Sequence, residues 1–169
     1  MAIAKLGRPT TQRLALIKNQ ATHLLWYGKI ETTQARAKSV QRYAEKLLTL
    51  AINSYEDTVN VTKEVKDSKG NIAPQNFVND GPKKLNARRK LIASLYNLQE
   101  QRAPKEKKAD FIARTEGIAN PLVEKIFNVY APKYAARAKE LGTGGGYTRI
   151  IKLGARRGDV AEMVILELV

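Results

Sequence analysis

Cysteine is absent from this chain of 169 residues, and histidine occurs once, at His23. Without cysteine there can be no disulfide, no thiolate zinc site and no cysteine nucleophile. A single histidine excludes a two-histidine metal site and a relay of two histidines, and no nucleophile is marked near it. We therefore expect His23 to be a packing or surface residue, and we expect no catalytic residue, metal, cofactor or small-molecule substrate.

Long apolar runs are also missing. No stretch approaches the roughly 18–20 apolar residues that a membrane-spanning helix needs, and the first residues, MAIAKLGRPTTQR, lack the apolar segment of a signal peptide. Hydrophobic residues nevertheless make up 43% of the chain, which is enough to build a core and argues against general disorder. We expect one domain over residues 1–169, in a cytoplasmic protein with no membrane partner.

Acidic residues are scarce, because 30 lysines and arginines face 16 aspartates and glutamates, for a net charge of +14. That excess is larger than the ~2–8 charges that keep a small domain soluble, and it indicates a polyanionic partner. The excess is uneven. Residues 1–54 carry nine basic and two acidic residues, whereas residues 55–119 carry 13 and nine. The first third of the chain is therefore the main candidate for phosphate binding.

Apolar residues at helical spacing predict helices in four places. The first runs from Thr10 or Thr11 to Gly28, the second starts at Thr32 or Thr33 after a short extended link, Lys29 to Glu31, and the others begin at Pro82 and at Asn120. The lysine-rich segment PKEKKADFIARTEG predicts at most a short surface helix. The expected buried positions are Leu14, Ile17, Ala21, Leu24 and Leu25; Val40, Ala44, Leu47, Leu48 and Ala51; Leu85, Ile92, Leu95 and Tyr96; and Leu122, Ile126 and Val129 or Tyr130. We expect Lys38, Arg42 and Glu45 on the solvated face of the second helix.

Alternating residues predict two β-hairpins. In the first, TVNVTKEV turns at Asp67–Gly70 and returns over Ile72–Val78, where Pro74 restricts the strand to an edge or interrupts it. In the second, Tyr147–Leu153 and Val160–Leu168 flank the turn GARRGD. The glycines before it, Gly142–Gly146, indicate a hinge, since a phosphate-binding loop would end in Gly-Lys-Ser/Thr and precede a helix. We predict an α+β fold: a two-layer domain of helices packed on a small sheet that includes the C-terminal β-hairpin.

Basic residues without nearby acids are the candidate binding residues. In the predicted first two helices and their flanks these are Lys5, Arg8, Arg13, Lys18, Lys29, Arg36, Lys38 and Arg42. Such a density of cations is typical of phosphate binding, to RNA or to DNA. For Arg156 and Arg157 in GARRGD, the residues alone leave open a solvated turn or a polyanion contact. A non-ribosomal DNA-compacting protein remains an alternative, and so does a nucleic-acid enzyme, although the sequence offers neither a carboxylate cluster nor a nucleophile–base pair.

Two stretches resemble the bacterial large-subunit ribosomal protein L17 family. They are LGRPTTQRLALIKNQATHLLWYGKIETTQARAKSVQRYAEKLLTLA near the start and GGGYTRIIKLGARRGDVAEMVILELV at the end, with ARRKLIASL and NPLVEKIFNVYAPKYAARA between them. The resemblance implies a non-enzymatic protein of the 50S subunit that binds 23S rRNA near the exit of the nascent-chain tunnel, beside neighbouring ribosomal proteins. It also implies that residues 55–82 and 102–119 are peripheral insertions, because compact family members lack them.

The resemblance further implies which residues touch rRNA. By match to the family's motifs, these are Arg8, Arg13, Lys29, Thr32, Thr33, Arg36, Lys38, Tyr147, Thr148, Arg149, Arg156 and Arg157. We add Lys152, on the first strand of the terminal hairpin, and keep Lys5, Lys18 and Arg42 from the basic set. Family members typically carry more basic residues before the Gly-Arg motif, whereas here only Lys5 precedes Gly7.

Overall fold

The computed structural model describes residues 4–66 and 72–169. The helices are α1 (Thr10–Tyr27), α2 (Gln34–Ile52), α3 (Pro82–Ser94), α4 (Lys108–Thr115), α5 (Pro121–Lys125) and α6 (Ala131–Leu141), with a π-helical turn (Ile126–Tyr130) joining the last two. The strands are β1 (Lys29–Thr33), β2 (Thr58–Lys66), β3 (Ile72–Asp80), β4 (Thr148–Ala155) and β5 (Glu162–Leu168).

The core lies between helices and a three-stranded antiparallel sheet in the order β1-β5-β4. Successive side chains of a strand point to opposite faces, and on β5 Val164 and Leu166 are fully buried. They join a single cluster with residues of α1, α2, α3 and the 121–141 helix. The predicted two-layer α+β domain, with the terminal hairpin in its sheet, is confirmed.

The first two helices bury nearly the stripes that their spacing predicts. Every expected position of α2 is buried, but Leu14 of α1 is 55% exposed, and the buried stripe of α1 begins one turn later at Ile17. Gly28 ends α1 with φ 82°, a left-handed conformation that glycine adopts without a steric penalty. Thr33 occupies the cap position of α2, as predicted, but Pro9 rather than a threonine precedes α1, and neither helix has a side-chain cap bond.

Strand β1 corrects the prediction of a mere extended link. Lys29 pairs with Glu167 and Thr33 with Met163, so the segment is an edge strand of the main sheet. Its hydrogen-bond partners come from the end of the chain. A local pattern of five residues carries no sign of such long-range pairing.

The hairpin of β2 and β3 is confirmed as a separate two-stranded sheet. Pro74 lies opposite Glu64, and every strand of a two-stranded sheet is an edge that tolerates proline. The predicted turn at Asp67–Gly70 falls outside the described residues. The hairpin joins the domain at the start of α3, where Gly81 donates its N–H to the Asp57 carbonyl at 2.8 Å.

The buried face of α3 agrees with the predicted one only at Leu95, which follows the helix directly. Ala87, Leu91 and Leu95 are buried, at an i, i+4, i+8 spacing, whereas Leu85, Ile92 and Tyr96 are 38–42% exposed. Small Ala87 lets the helix approach the core closely, and apolar residues on its other face remain at the surface. Helix α4 buries none of its residues, which agrees with a short surface helix.

The last helix is continuous from residue 121 to 141 and contains the π-helical turn. Leu122, Ile126 and Tyr130 are buried, while Val129 is 52% exposed, so Tyr130 is the correct one of the two predicted alternatives. Pro132 is the second residue after the π turn, and proline cannot donate the bond that an α-helix requires at that position. Within residues 4–66 and 72–169, no helix combines the length and the apolar character needed to cross a membrane.

Candidate nucleic-acid interface

Three basic parts of the chain meet at one end of the main sheet. In the register of the sheet, Thr33 lies opposite Met163, and Met163 lies opposite Gly154. These three positions form one row across three strands, about 10 Å wide at the usual strand spacing. Helix α2 starts at the β1 end of this row, and the terminal hairpin's tip lies just beyond the other end. We call this edge of the molecule the basic end.

The N-terminal segment joins the same edge. Ala4 lines a groove with Gln34, Lys38 and Arg42 of α2, which places the residues that follow it beside the start of that helix. A turn at Leu6 and Gly7, both with positive φ (54° and 63°), brings the Arg8 N–H to the Lys5 carbonyl at 3.2 Å. Helix α1 then starts at Thr10 and runs towards β1. The cations Lys5, Arg8, Arg36 and Lys38 are thereby gathered at the basic end.

These four cations have no carboxylate partner in the part of the chain that the structure describes. In the described residues, none of Lys5, Arg8, Arg36 and Lys38 forms an ion pair, and all except half-buried Arg36 are exposed. The first turns of α1 and α2 contain no acidic residue either. Helix N-termini carry a partial positive charge, so both helix starts add to the positive potential here. The arrangement suits an extended polyanion.

Three cations of the 55–119 region, Lys84, Arg88 and Arg114, are by contrast paired with acids of the same region or of the next helix. Arg88 pairs with Asp80 and Glu124, and Lys84 with Asp80 at 3.3 Å. Burial alone would raise the pKa of Asp80, but hydrogen bonds and charge from Arg88 and Lys84 outweigh it and lower that pKa. This network fastens the β2–β3 hairpin to α3 and α5.

A second network orders the loop before α4. Arg114 pairs with Glu100 and with Glu106, the latter at 3.2 Å, and Glu106 also accepts the Ala103 N–H at 3.1 Å. The hydrogen bond from Arg114, followed by that from Ala103, lowers the pKa of Glu106. Arg114 is therefore engaged within the protein.

The tip of the terminal hairpin separates its two arginines. Arg156 donates from Nε and Nη2 to the two carboxylate oxygens of Asp159, at 2.6 Å each. Arg157 is exposed and makes no ion pair in the described chain. The sequence alone does not distinguish the two arginines, but of the pair only Arg157 has a guanidinium without an ion pair in the described residues.

Several expected contact residues have internal roles. Thr32 and Thr148 are buried: Thr32 accepts a hydrogen bond from Gln20 at 3.2 Å, and Thr148 donates to Glu45 at 2.7 Å, so Glu45 is not a solvated residue as predicted. Tyr147 is 5% exposed, with its ring centroid 5.0 Å from that of Tyr134. Burial raises the pKa of Tyr134 to about 12. These side chains hold the sheet to the helices.

Two cations of the expected set also serve the fold. Lys18 donates to the Ala93 carbonyl at 2.9 Å, and its ammonium lies 4.6 Å from the ring centre of Tyr96. It therefore links α1 to α3. Arg149 donates to Glu167 across the β4–β5 pair, with an Nε–Oε1 distance of 3.0 Å.

The other expected residues lie at the surface or near it. Lys29 is exposed at the end of β1 opposite the basic end, and Lys152 is exposed on β4 next to a bulge between Lys152 and Gly154. Arg13 and Thr33 are half-buried, and Arg42 is exposed on α2 beside the groove that Ala4 lines.

The sequence did not predict that acidic residues bond to several of the expected contact residues: Asp159 to Arg156, Glu45 to Thr148 and Glu167 to Arg149. The i, i+3 spacing of Arg156 and Asp159 is visible in the sequence and could have predicted their pairing. His23 is exposed and lies beside Tyr27, with 5.7 Å between ring centroids. No group of three or more histidines, cysteines or acids in the described parts of the chain could hold a metal ion.

Comparison with known proteins gives one consistent family. The model of the family "Ribosomal protein L17" matches residues 16–169. Large ribosomal subunit protein bL17 of Lachnospira eligens is 38% identical, over 98% of this chain and 97% of the relative. The proteins of the same name from Acetivibrio thermocellus and from Clostridium perfringens (strain SM101) are 36% and 38% identical, over 98% of this chain and 97% and 96% of their own lengths.

Proposed function

The chain belongs to the ribosomal protein L17 family, and on that premise we propose that it is a structural constituent of the large ribosomal subunit that binds 23S rRNA through its basic end. The family is structural and non-enzymatic. One observation carries the proposal beyond the family: the starts of α1 and α2 and the tip of the terminal hairpin lie at the same end of the sheet. Their unpaired cations form one surface rather than scattered charges.

The proposed contacts fall into two groups. Lys5, Arg8, Arg36, Lys38 and Arg157 are the central phosphate contacts, since they are grouped and have no carboxylate partner in the described residues. An arginine guanidinium can donate to two phosphate oxygens at once, and a lysine acts as a point charge. The peripheral contacts are Arg13, Lys29, Thr33, Arg42, Arg149 and Lys152, while Arg156 is bonded to Asp159 and supports the hairpin tip.

Thr32, Tyr147, Thr148 and Lys18 contribute indirectly in this proposal. Their side chains are bonded within the protein or packed in its core, so they fix the sheet end and the helix starts in place. Double-helical RNA is recognised largely through its backbone and shape, which rewards a rigid array of cations. We propose the vicinity of the nascent-chain exit in the cytoplasmic ribosome as its location, next to other large-subunit proteins.

Residues 55–82 and 102–119 take a different part in the proposed function. Their ion pairs are satisfied internally, and the β2–β3 hairpin forms a sheet of its own. We propose that they are peripheral elaborations of a single domain spanning residues 1–169, and that they contribute little to rRNA affinity.

Sedimentation and competition test the proposal together. In physiological salt the native protein should sediment with large subunits, and purified protein should prefer 23S rRNA to random duplex DNA. With about 6–10 phosphate contacts, affinity should fall by about 10³–10⁵ between 50 and 200 mM salt. A protein found free of large subunits contradicts the ribosomal role, and equal affinity for duplex DNA indicates a general nucleic-acid binder instead.

A further inference from the structure

We propose that Asp159 is the positioning residue of the hairpin tip: its carboxylate engages Arg156 and leaves Arg157 as the side chain that binds rRNA phosphate. This inference rests on the proposed function. It assigns different roles to neighbouring arginines that a count of charges would treat as equivalent.

The Arg156–Asp159 pair is part of a closed set of bonds across the tip. The Arg156 N–H donates to the Ala161 carbonyl at 3.0 Å, and the Val160 N–H donates to the Arg156 carbonyl at 3.1 Å. Asp159 also accepts the Ala161 N–H at 3.3 Å. The two side chains and the backbone between them therefore brace the same turn. The hydrogen bond from Arg156, followed by that from the Ala161 N–H, lowers the pKa of Asp159, so the carboxylate is ionised at neutral pH.

The turn needs such bracing because one of its residues is strained. Val160 has φ 55°, a left-handed conformation that is unfavourable for a β-branched side chain. Val160 is also 73% exposed, so core packing does not hold it there. The carboxylate of Asp159 is next to it in the chain and bonds both sides of the turn.

Arg156 offers little to a phosphate in this arrangement. Both of its bonds to Asp159 use the paired donors that would otherwise grip two phosphate oxygens. A phosphate would have to displace a carboxylate and leave that negative charge nearby. Arg157 has no such competitor in the described residues, and it lies in a turn whose neighbours, residues 151–160, are all exposed. The tip can therefore approach an RNA groove with Arg157 as its cation.

Binding of the full-length protein to 23S rRNA at several salt concentrations tests the assignment. The key variant is R156A/D159A, which removes the ion pair but leaves the net charge of the tip unchanged. We expect R156A/D159A and R157A each to lose about three- to tenfold in affinity. In each variant the slope of log affinity against log salt should become shallower by the amount that about one phosphate contact contributes. R157K, which keeps the charge, should retain the slope. A purely structural role of Asp159 would change thermal unfolding and leave the salt slope intact.

Two results would overturn the inference. One is wild-type affinity in R156A/D159A. The other is a gain in affinity in D159N together with equal losses in R156A and R157A, which would show that each charge of the tip contributes independently of the ion pair. The free protein gives an independent measurement. In NMR spectra the Nε–H signal of Arg156 should move as acid protonates Asp159, and that of Arg157 should stay. Equal behaviour of the two signals refutes the ion pair whatever the rRNA result. If the signals differ but wild-type protein has no preference for 23S rRNA, the proposed function and the rRNA role of Arg157 both fail.

Discussion

The basic end and the 55–119 region contain the same residue types but use them differently. At the basic end, Lys5, Arg8, Arg36 and Lys38 face no carboxylate in the described residues, and the starts of α1 and α2 lack acidic residues. In the other region, Arg88 and Arg114 each pair with two acids. Arg88 and Arg114 thus stabilise their region internally, whereas the four cations of the basic end leave a positive charge that a partner can neutralise.

The helix starts show the same contrast. Asp57 accepts the backbone N–H groups of Lys83 and Lys84 at 2.7 and 3.3 Å, so a side chain from outside the helix caps α3. Neither α1 nor α2 has a side-chain cap bond. The start of α3 is thus capped by a carboxylate of the protein itself, whereas the starts of α1 and α2 are left without an anionic partner in the described residues. Net charge alone does not reveal where that division lies.

Removing cations from the basic end should have the largest effect. The triple variant R8A/R36A/K38A should bind 23S rRNA about a hundredfold more weakly, since each lost charge-assisted contact costs on the order of 1 kcal/mol or more. Filter binding at fixed salt measures the change. The matched control K105A/K107A/K108A removes as much charge from exposed lysines of the 55–119 region, and it should change affinity less than about threefold. Equal losses in the two variants would abolish the distinction between the regions.

Breaking the Arg88 network should give the opposite pattern. R88A leaves Asp80 and Glu124 without their shared partner, and these three side chains are only 18–32% exposed. We expect the free energy of unfolding to fall by about 1–3 kcal/mol in urea denaturation, with rRNA affinity unchanged. If R88A weakens rRNA binding as strongly as the basic-end variant while stability is kept, Arg88 is a binding residue and its ion pairs are incidental.

Acid should weaken the contribution of Asp80 to stability, with a smaller effect than the loss of Arg88. Asp80 has a lower pKa in the folded chain than in the unfolded chain, where an aspartate titrates near about 3.9. Its ionised form therefore stabilises the fold above about pH 5, and this contribution is lost as the pH falls through the folded pKa. D80N should be less stable than the wild type at pH 7, and the difference should shrink towards pH 2–3. A difference that is constant with pH would show that the charge of Asp80 does not matter.

Local patterns predicted much of the fold. The stripes of α1 and α2, the two hairpins and the start of the 121–141 helix all follow from spacing or turn residues within a few positions. The buried face of α3 did not, because apolar Ile92 and Tyr96 lie on its exposed side while small Ala87 faces the core. Strand β1 was missed because its partner, β5, lies at the other end of the chain.

The candidate site was predictable in its charges and less so in its geometry. The excess of cations before residue 54 is plain in the sequence. That Thr148 donates to Glu45, 103 positions away, is set by the packing of β4 on α2 and leaves no local pattern. The convergence of both helix starts with the hairpin tip likewise depends on the register of β1 and β5.

Chemical acetylation of lysines in intact large subunits tests the central claim most directly. Lys5, Lys29 and Lys38 are exposed in the free protein, and so are Lys105, Lys107 and Lys108. In large subunits that contain this protein, we expect the first three, and above all Lys5 and Lys38 at the basic end, to be protected from acetylation relative to the free protein. The second three should stay reactive. Undiminished reactivity of Lys5 and Lys38 in the subunit would contradict the account.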